Sequence, residues 1–215
     1  MILINFKIYR ETFGDKAIEL GKIIKEIADK SGIRVIVTAS ALDALRLADL
    51  GLEVWLQNVD EYGDGKHTGW ISANQALSLG IKGSLLNHSE HQVPKGTVLK
   101  ILKNKPQGFE IMCCVKSVGQ IEKWVAKAKP DYILYEPPKL IGSPTDSVAS
   151  KPESIKKAVK LSGNIPLIIG AGVKSQHDVV IGLKMGAKSV MLASGFVLST
   201  DPKSVLEDIV AGFKV

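Results

Sequence analysis

The sequence predicts an α/β protein whose eight parallel strands alternate with helices and close into a (β/α)8 barrel. Eight short apolar runs recur along the 215 residues, and amphipathic patterns separate them, an alternation that implies a parallel sheet covered by helices. Eight repeats is the number that closes such a barrel. Glycine turns suited to holding an anion follow the seventh and eighth runs, whereas no Gly-x-Gly-x-x-Gly follows the first. This favours the barrel over an open doubly wound sheet, which is the alternative.

The predicted strands are continuous apolar runs, as expected of strands that are buried on both faces. They are Ile2 to Asn5, Arg34 to Thr38, Val54 to Gln57, Gly83 to Leu86, Ile111 to Val115, Tyr132 to Tyr135, Leu167 to Ile169 and Ser189 to Leu192. The stretch from Lys16 to Ile27 has apolar residues at helical spacing and predicts a helix between the first two strands. No linker or change in composition divides the chain, so we expect a single domain over residues 1–215.

Composition and charge narrow the classes of partner. The formal net charge is +6, but the lysines are scattered along helix faces with little aromatic interleaving, which favours an anionic small molecule over a nucleic acid. No apolar run approaches the roughly 20 residues of a membrane helix, and no positively charged region precedes the apolar start. We therefore expect a cytoplasmic protein without a membrane partner. Cys113 and Cys114 are adjacent in one strand, so they should face opposite sides and remain reduced.

Catalytic residues of such barrels come from the carboxyl-terminal ends of the strands. Glu136 follows the sixth predicted strand, and Pro137 and Pro138 stiffen the base of the loop after it. Gly142 to Pro144 can act as a second hinge at the far end of that loop. This pattern suggests a base beneath a lid, and the alternative is a surface glutamate at an ordinary turn.

The first strand end offers a cation. Alternation sends Asn5 and Lys7 to the same side of the chain, with Phe6 opposite. A lysine held at the barrel mouth would bind an anionic ligand, while the alternative is a solvated lysine at a strand terminus.

The fourth strand end offers a histidine. Ser89 is predicted to cap a short helix, whose positive end would keep His88 neutral and make it a hydrogen-bond donor to a substrate oxygen. The alternative is a structural histidine, and His67 and His177 lie in contexts that suggest no such function.

The last two strand ends are turns of small residues. Gly170 to Val173 and Ala193 to Gly195 expose backbone N–H groups that can approach an anion closely, and the loops after strands seven and eight are the usual phosphate site of this fold.

Together these motifs resemble the triosephosphate isomerase family over essentially the whole chain. The residues that carry the resemblance are Asn5 to Lys7, Gln57 to Asp60 with His67 to Gly69, Asn87 to Glu90, Tyr135 to Gly142 and the two glycine turns. The short length, the Pro-Pro-Lys-Leu lid and the Gly-Ala-Gly-Val turn resemble the archaeal branch. Bacterial and eukaryotic members carry a Pro-Val-Trp-Ala lid and a Tyr-Gly-Gly-Ser turn, so their lid-closing hydrogen bonds do not transfer.

The resemblance implies the interconversion of dihydroxyacetone phosphate and D-glyceraldehyde 3-phosphate, a step of glycolysis and gluconeogenesis, without a cofactor or metal. A glutamate base that works with a neutral histidine beneath a closing loop is the well-known chemistry of this family. The resemblance implies that Glu136 moves the proton, that His88 polarises the substrate oxygens, and that Lys7 and Asn5 hold the substrate. The resemblance also implies that Ile141 and Gly142 of the lid cover the substrate, and that a buried Glu90 orients Lys7. The residues implied to bind the phosphate group are Gly172, Ala193 and Ser194.

The resemblance also implies an oligomer. The loop from Gln57 to Thr68 matches the one through which family members reach a neighbouring active site, which implies a homodimer at least, and archaeal members typically form homotetramers. A metal-dependent phosphosugar epimerase is disfavoured because only His88 of the four histidines lies at a strand end. A catalytically inactive barrel should lack Lys7, His88 or Glu136, and all three are present.

Overall fold

The structure is a computed structural model that describes residues 1–143 and 145–215, so Pro144 of the predicted second hinge lies outside the described residues. Eight parallel strands pair in chain order, and β1 also pairs with β8, which closes the barrel. The strands are β1 (Ile2–Asn5), β2 (Val35–Ala39), β3 (Glu53–Leu56), β4 (Gly83–Leu86), β5 (Glu110–Val115), β6 (Tyr132–Tyr135), β7 (Leu167–Ile169) and β8 (Ser189–Leu192). The predicted (β/α)8 fold is confirmed.

Helices follow each strand and cover the outside of the barrel. They are α1 (Gly14–Ser31), α2 (Ala41–Ala48), α3 (Ala73–Ser78), α4 (Lys95–Asn104), α5 (Val118–Gln120), α6 (Ala126–Ala128), α7 (Pro152–Ser162), α8 (Gln176–Lys184), α9 (Ser194–Val197) and α10 (Pro202–Ala211). A π-helical turn, Ile121–Val125, joins α5 to α6. None of the helices in the described part of the chain combines the length and apolar character needed to cross a bilayer.

Strand alternation divides the core into two parts. One set of side chains points outward against the helices, and the other fills the barrel interior. The interior set consists of Leu3, Ile36, Trp55, Leu85, Met112, Cys114, Leu134, Ile168 and Met191. Trp55 is the largest of them, and a Cβ at position 83 would lie 2.5 Å from its ring, so Gly83 makes room for the indole. Cys113 belongs to the outer part and Cys114 to the inner one, as predicted, and both are free thiols.

The same alternation places the side chains at the carboxyl-terminal mouth. Leu3 and Leu134 point into the barrel, so the side chains two residues later, Asn5 and Glu136, point inward one level higher. Both are buried polar residues, with relative exposures of 3% and 6%. The apolar interior thus ends in a polar layer at the mouth.

A charged network at the opposite end of the barrel explains why three strand boundaries differ from the prediction. Arg34 lies before β2, because its guanidinium binds the carboxylates of Glu53 and Glu110 at 2.6 and 2.9 Å. These two glutamates begin β3 and β5, each one position earlier than predicted. Burial acts to raise the pKa of Glu53, but hydrogen bonds and charge from Arg34 and others outweigh it and lower the pKa.

Gln57 lies beyond the end of β3, because its side-chain amide hydrogen-bonds to the loop after β1.

Candidate active site

A carboxylate and an imidazole meet at the barrel mouth. The Glu136 backbone N–H donates to the Val115 carbonyl at 2.9 Å, which continues the strand pairing to the base of the lid. Its Oε2 lies 3.0 Å from Nε2 of His88, and both side chains are more than nine-tenths buried. The contact lacks the alignment of a hydrogen bond, so neither atom has a hydrogen-bond partner among the described residues. Buried polar atoms usually have hydrogen-bond partners. These two atoms therefore suit a ligand with oxygen atoms.

Gly170 determines how closely Glu136 can approach β7. A Cβ at position 170 would lie 2.4 Å from Oε1 of Glu136, 2.7 Å from its Cγ and 2.8 Å from its Cδ. The carboxylate therefore packs directly on the backbone of Gly170, which any side chain there would disturb.

A backbone donor determines which ring nitrogen of His88 accepts a hydrogen bond. The N–H of Glu90 donates to His88 Nδ1 at 3.2 Å, which leaves the ring proton on Nε2, facing Glu136. The predicted helix capped by Ser89 is wrong: a turn closed by a His91 N–H to His88 carbonyl bond occupies this segment, and α4 begins only at Lys95. A turn amide, and not the start of a helix, therefore contacts the His88 ring.

Asn87 supports the turn that carries His88. It has a positive φ of 61°, a left-handed conformation that asparagine tolerates better than most residues. Its side-chain amide donates to the Cys114 carbonyl at 3.1 Å and accepts from the Val93 N–H at 3.3 Å. Asn87 thus joins the end of β4 to β5 and to the start of the next loop.

Lys7 is fixed at the mouth and is not a loosely solvated lysine. Its backbone has a φ of 50°, and this strained conformation is held from both sides. The Lys7 N–H donates to Asn5 Oδ1 at 3.0 Å, and the Gln57 side chain donates to the Lys7 carbonyl at 2.8 Å. Its Nζ binds Glu90 Oε1 at 2.5 Å, and the lysine side chain is 12% exposed. The prediction that Glu90 is buried is wrong, since its side chain is 53% exposed and reaches Lys7 from solvent.

The sequence predicted Gln57 only as the end of the third strand and the start of the intersubunit loop, whereas its amide also holds the lysine backbone. The available signal was alternation in β3, because Trp55 points into the barrel and Gln57 follows it by two residues. The partner of Gln57 lies 50 residues away in the chain, and no local pattern indicates that contact.

A cleft of about 280 Å³ brings most of the predicted site residues together. It is lined by Lys7 and Glu136, by the lid residues Ile141, Gly142 and Ser143, by Met191, by residues 171–174 after β7 and by residues 193–195 after β8. The predicted phosphate residues Gly172, Ala193 and Ser194 are therefore part of the same wall. Asn5 and His88 line an adjoining depression of about 350 Å³, which shares Lys7 with the cleft.

The segment predicted to form a lid begins with the two prolines. Pro137 precedes a short 3-10 turn, Pro138–Leu140, and Gly142 follows it with a φ of +68°. The backbone of this segment approaches the turn after β7 closely, since a Cβ at Gly172 would lie 3.1 Å from the Leu140 carbonyl oxygen. Only glycine accommodates this close approach together with the positive φ of 78° at position 172.

The closed parallel barrel and the polar groups at the carboxyl ends of its strands are typical of (β/α)8 enzymes. A glutamate beside a histidine, a fixed lysine and two small-residue turns narrow this class to enzymes suited to a small anionic substrate.

Comparisons with known proteins identify the family. The family model for triosephosphate isomerase matches residues 1–211. Triosephosphate isomerases of Archaeoglobus fulgidus and Saccharolobus solfataricus are each 35% identical to the chain, with alignments covering 98% of it and 96% and 94% of those proteins. That of Thermoplasma volcanium is 33% identical over 97% of this chain and 98% of its own. The chain belongs to the triosephosphate isomerase family, which confirms the resemblance drawn from the sequence motifs.

Proposed function

We propose that Glu136 is the base through which this isomerase interconverts dihydroxyacetone phosphate and D-glyceraldehyde 3-phosphate, in glycolysis and gluconeogenesis. Glu136 takes a proton from the carbon beside the substrate carbonyl, and the electron pair forms a carbon–carbon double bond while negative charge moves to the carbonyl oxygen. Return of a proton from Glu136 to the neighbouring carbon, with transfer of the hydroxyl proton between the two oxygens, gives the isomeric product. The cycle needs no cofactor or metal, because each step moves only protons and electron pairs of the substrate.

His88 and Lys7 would stabilise the charge that develops on the substrate oxygens. The Nε2–H of a neutral His88 can donate to both oxygens of an enediolate. The ammonium group of Lys7 lies at the same mouth and supplies a positive charge toward the anion. Asn5 would hold the substrate together with Lys7, and its side chain also accepts the Lys7 N–H.

The phosphate group would bind where the two small-residue turns line the cleft. Backbone N–H groups near Gly172, Ala193 and Ser194 are suited to an anion. Ile141 and Gly142 of the lid line the same cleft, so closure over a bound substrate would exclude water from the enediolate. Exclusion of water matters because an unshielded enediolate phosphate would lose its phosphate by elimination.

The observation that carries this proposal is the 3.0 Å contact between His88 Nε2 and Glu136 Oε2, beside a cleft that Lys7 also lines. The test is a coupled assay of glyceraldehyde 3-phosphate formation by the purified protein and by Glu136→Asp. Shortening the base by one methylene should lower kcat by about 100-fold or more. Glu153→Asp, an exposed change in the first turn of α7, is the matched control. Near wild-type turnover of Glu136→Asp would show that another group is the base.

We also propose that the chain forms at least a homodimer and, by resemblance to archaeal relatives, a homotetramer. The loop after β3 supports this, because Tyr62 packs its ring on His67 and Trp70 at centroid distances of 4.7 Å. Trp70 in this loop is 52% exposed, and Ile8 beside the active-site depression is 74% exposed. Such exposed apolar side chains suit coverage by a partner subunit.

Light scattering after size exclusion measures the assembly. Wild type should give two or four times the 23.2 kDa of one chain, and Trp70→Ala should shift the mass toward the monomer. Leu79→Ala is the matched control, because Leu79 is also 52% exposed but lies at the end of α3. A monomeric wild type would overturn the oligomer.

We further propose that residues 1–215 form one domain in the cytoplasm, acting on a small molecule without a nucleic-acid or membrane partner. The pairing of β1 with β8 supports the single domain, since it ties the two ends of the chain into one sheet. A single cooperative unfolding transition, seen by both circular dichroism and tryptophan fluorescence, is the expected result.

A further inference from the structure

Asp178, in the first turn of α8, is a buried carboxylate outside the catalytic cleft, and its relative exposure is 8%. Its Oδ1 accepts a 2.6 Å hydrogen bond from the Ser147 hydroxyl. Its Oδ2 accepts from the N–H of Lys174 at 3.1 Å, from the N–H of Ser175 at 3.2 Å and from the Ser175 hydroxyl at 3.0 Å. Four donors therefore converge on one carboxylate.

These donors come from two separate segments of the active site. Ser147 lies at the far end of the lid segment, three residues beyond the predicted hinge of Gly142 to Pro144, and its hydroxyl also accepts the Ala149 N–H at 3.1 Å. Lys174 and Ser175 come directly after the phosphate turn that follows β7. Asp178 thus joins the end of the lid to the end of the phosphate turn through side-chain and backbone bonds.

The phosphate turn needs such support because its backbone is strained. Ala171 and Gly172 have φ values of 68° and 78°, and alanine adopts this left-handed conformation only at a steric cost. The Val148 N–H donates to the Ala171 carbonyl at 3.0 Å, and a Cβ at Gly172 would lie 2.4 Å from the Asp146 carbonyl oxygen. The turn therefore packs directly on the chain that leaves the lid, and strained conformations persist only where their surroundings hold them.

We propose that Asp178 is a positioning residue that locks the far end of the lid and the phosphate turn into one unit and thereby sets the turn for the phosphate group of the substrate. The inference rests on the proposed function, since it concerns the same site. The part of the lid that directly follows Glu136 would then move most, while residues 147–150 stay attached to the phosphate turn.

Capping of α8 is the simpler role, and it accounts for only part of the contacts. Ser175 and Asp178 form a capping box at this helix. The bond from the Ser147 hydroxyl is not part of a capping box, because Ser147 lies 31 residues away in the chain. A test must therefore separate the link to the lid from the cap.

The test compares catalysis on glyceraldehyde 3-phosphate with catalysis on unphosphorylated glyceraldehyde, followed by NMR of deuterium exchange in D2O. The variants are Asp178→Asn, Ser147→Ala and the double variant. Because the lost bonds involve a charged acceptor, each single variant should lower kcat/KM on the phosphorylated substrate by roughly 10-fold more than on glyceraldehyde. The double variant should lose no more than the worse single variant, since both changes break one link.

Asp201→Asn is the matched control, because Asp201 caps α10 through the Ser204 N–H at 3.1 Å without touching the lid. Ser147→Ala leaves the capping box of α8 in place, so it decides the question if Asp178→Asn fails to fold. Equal losses on both substrates, no loss, or the same split in Asp201→Asn would overturn the proposal. A wild-type protein inactive on both substrates would instead reject the proposed function.

Discussion

Gly170→Ala should impair the base without changing any group that contacts the substrate. Gly170 has no positive φ, so its backbone accepts alanine without strain. The added methyl group would meet Glu136 at 2.4, 2.7 and 2.8 Å at Oε1, Cγ and Cδ, whereas ordinary carbon contacts lie at about 3.5–4.0 Å. The carboxylate must therefore move by about 1 Å, away from β7.

The expected loss follows from that displacement. Moving a catalytic group by 1 Å can cost about 100-fold in rate, which corresponds to about 2.7 kcal/mol in the activation free energy. The loss should appear in kcat, while KM changes little, because Lys7 and the residues proposed to bind the phosphate group, Gly172, Ala193 and Ser194, are unchanged. Steady-state kinetics in the coupled assay measure both constants, and thermal unfolding shows whether the variant remains folded.

Gly182→Ala provides a steric control away from Glu136. A Cβ at position 182 would lie 2.4 Å from Ile169 Cδ1, so this variant should lower the melting temperature with a much smaller effect on kcat. If Gly170→Ala keeps kcat within threefold of wild type, or if Gly182→Ala lowers kcat equally, the position of Glu136 against Gly170 does not control the reaction.

Three further predictions test the surroundings of the site. Asn87→Ala should lower kcat, because the turn that carries His88 would be held less firmly. Asn87→Gly should recover part of the loss, because glycine accepts the φ of 61° at this position. Equal kinetics of the two variants would exclude backbone strain as the cause. Lys7→Ala should abolish measurable binding of a phosphate-bearing inhibitor in calorimetry, and unchanged affinity would remove Lys7 from the site. The pKa of Glu53 is lowered in the folded chain, so its pairing with Arg34 stabilises the fold above the usual pKa of 4.5 and is lost as pH falls below it. Urea unfolding of Glu53→Gln between pH 3 and 7 should therefore show a weaker pH dependence than wild type, and an identical profile would contradict this assignment.

The fold was predictable because buried parallel strands produce a signal that is local in sequence. Each predicted strand overlaps an observed one, and the errors fall where polar side chains extend or end an apolar run, as at Arg34 and Gln57. Glu136 could be placed at a strand end for the same reason, because the run from Tyr132 to Tyr135 stops directly before it.

The contacts that organise the site were not predictable from local patterns. The amide that donates to His88 Nδ1 belongs to a turn, and the Ser89 signal for a helix cap was misleading because α4 begins only at Lys95. Gln57 and Asp178 act on partners 50 and 31 residues away. Such contacts depend on how neighbouring loops pack after the barrel has closed, which no periodicity in the sequence records.

Proton exchange at the substrate carbon tests the role of Glu136 most directly. Dihydroxyacetone phosphate is incubated in D2O with wild type and with Glu136→Gln, which keeps the size of the side chain but cannot accept the proton. We expect NMR to show deuterium incorporation with wild type, and with Glu136→Gln a rate lower by about 100-fold or more. Exchange by Glu136→Gln within tenfold of the wild-type rate would contradict the assignment of Glu136 as the base.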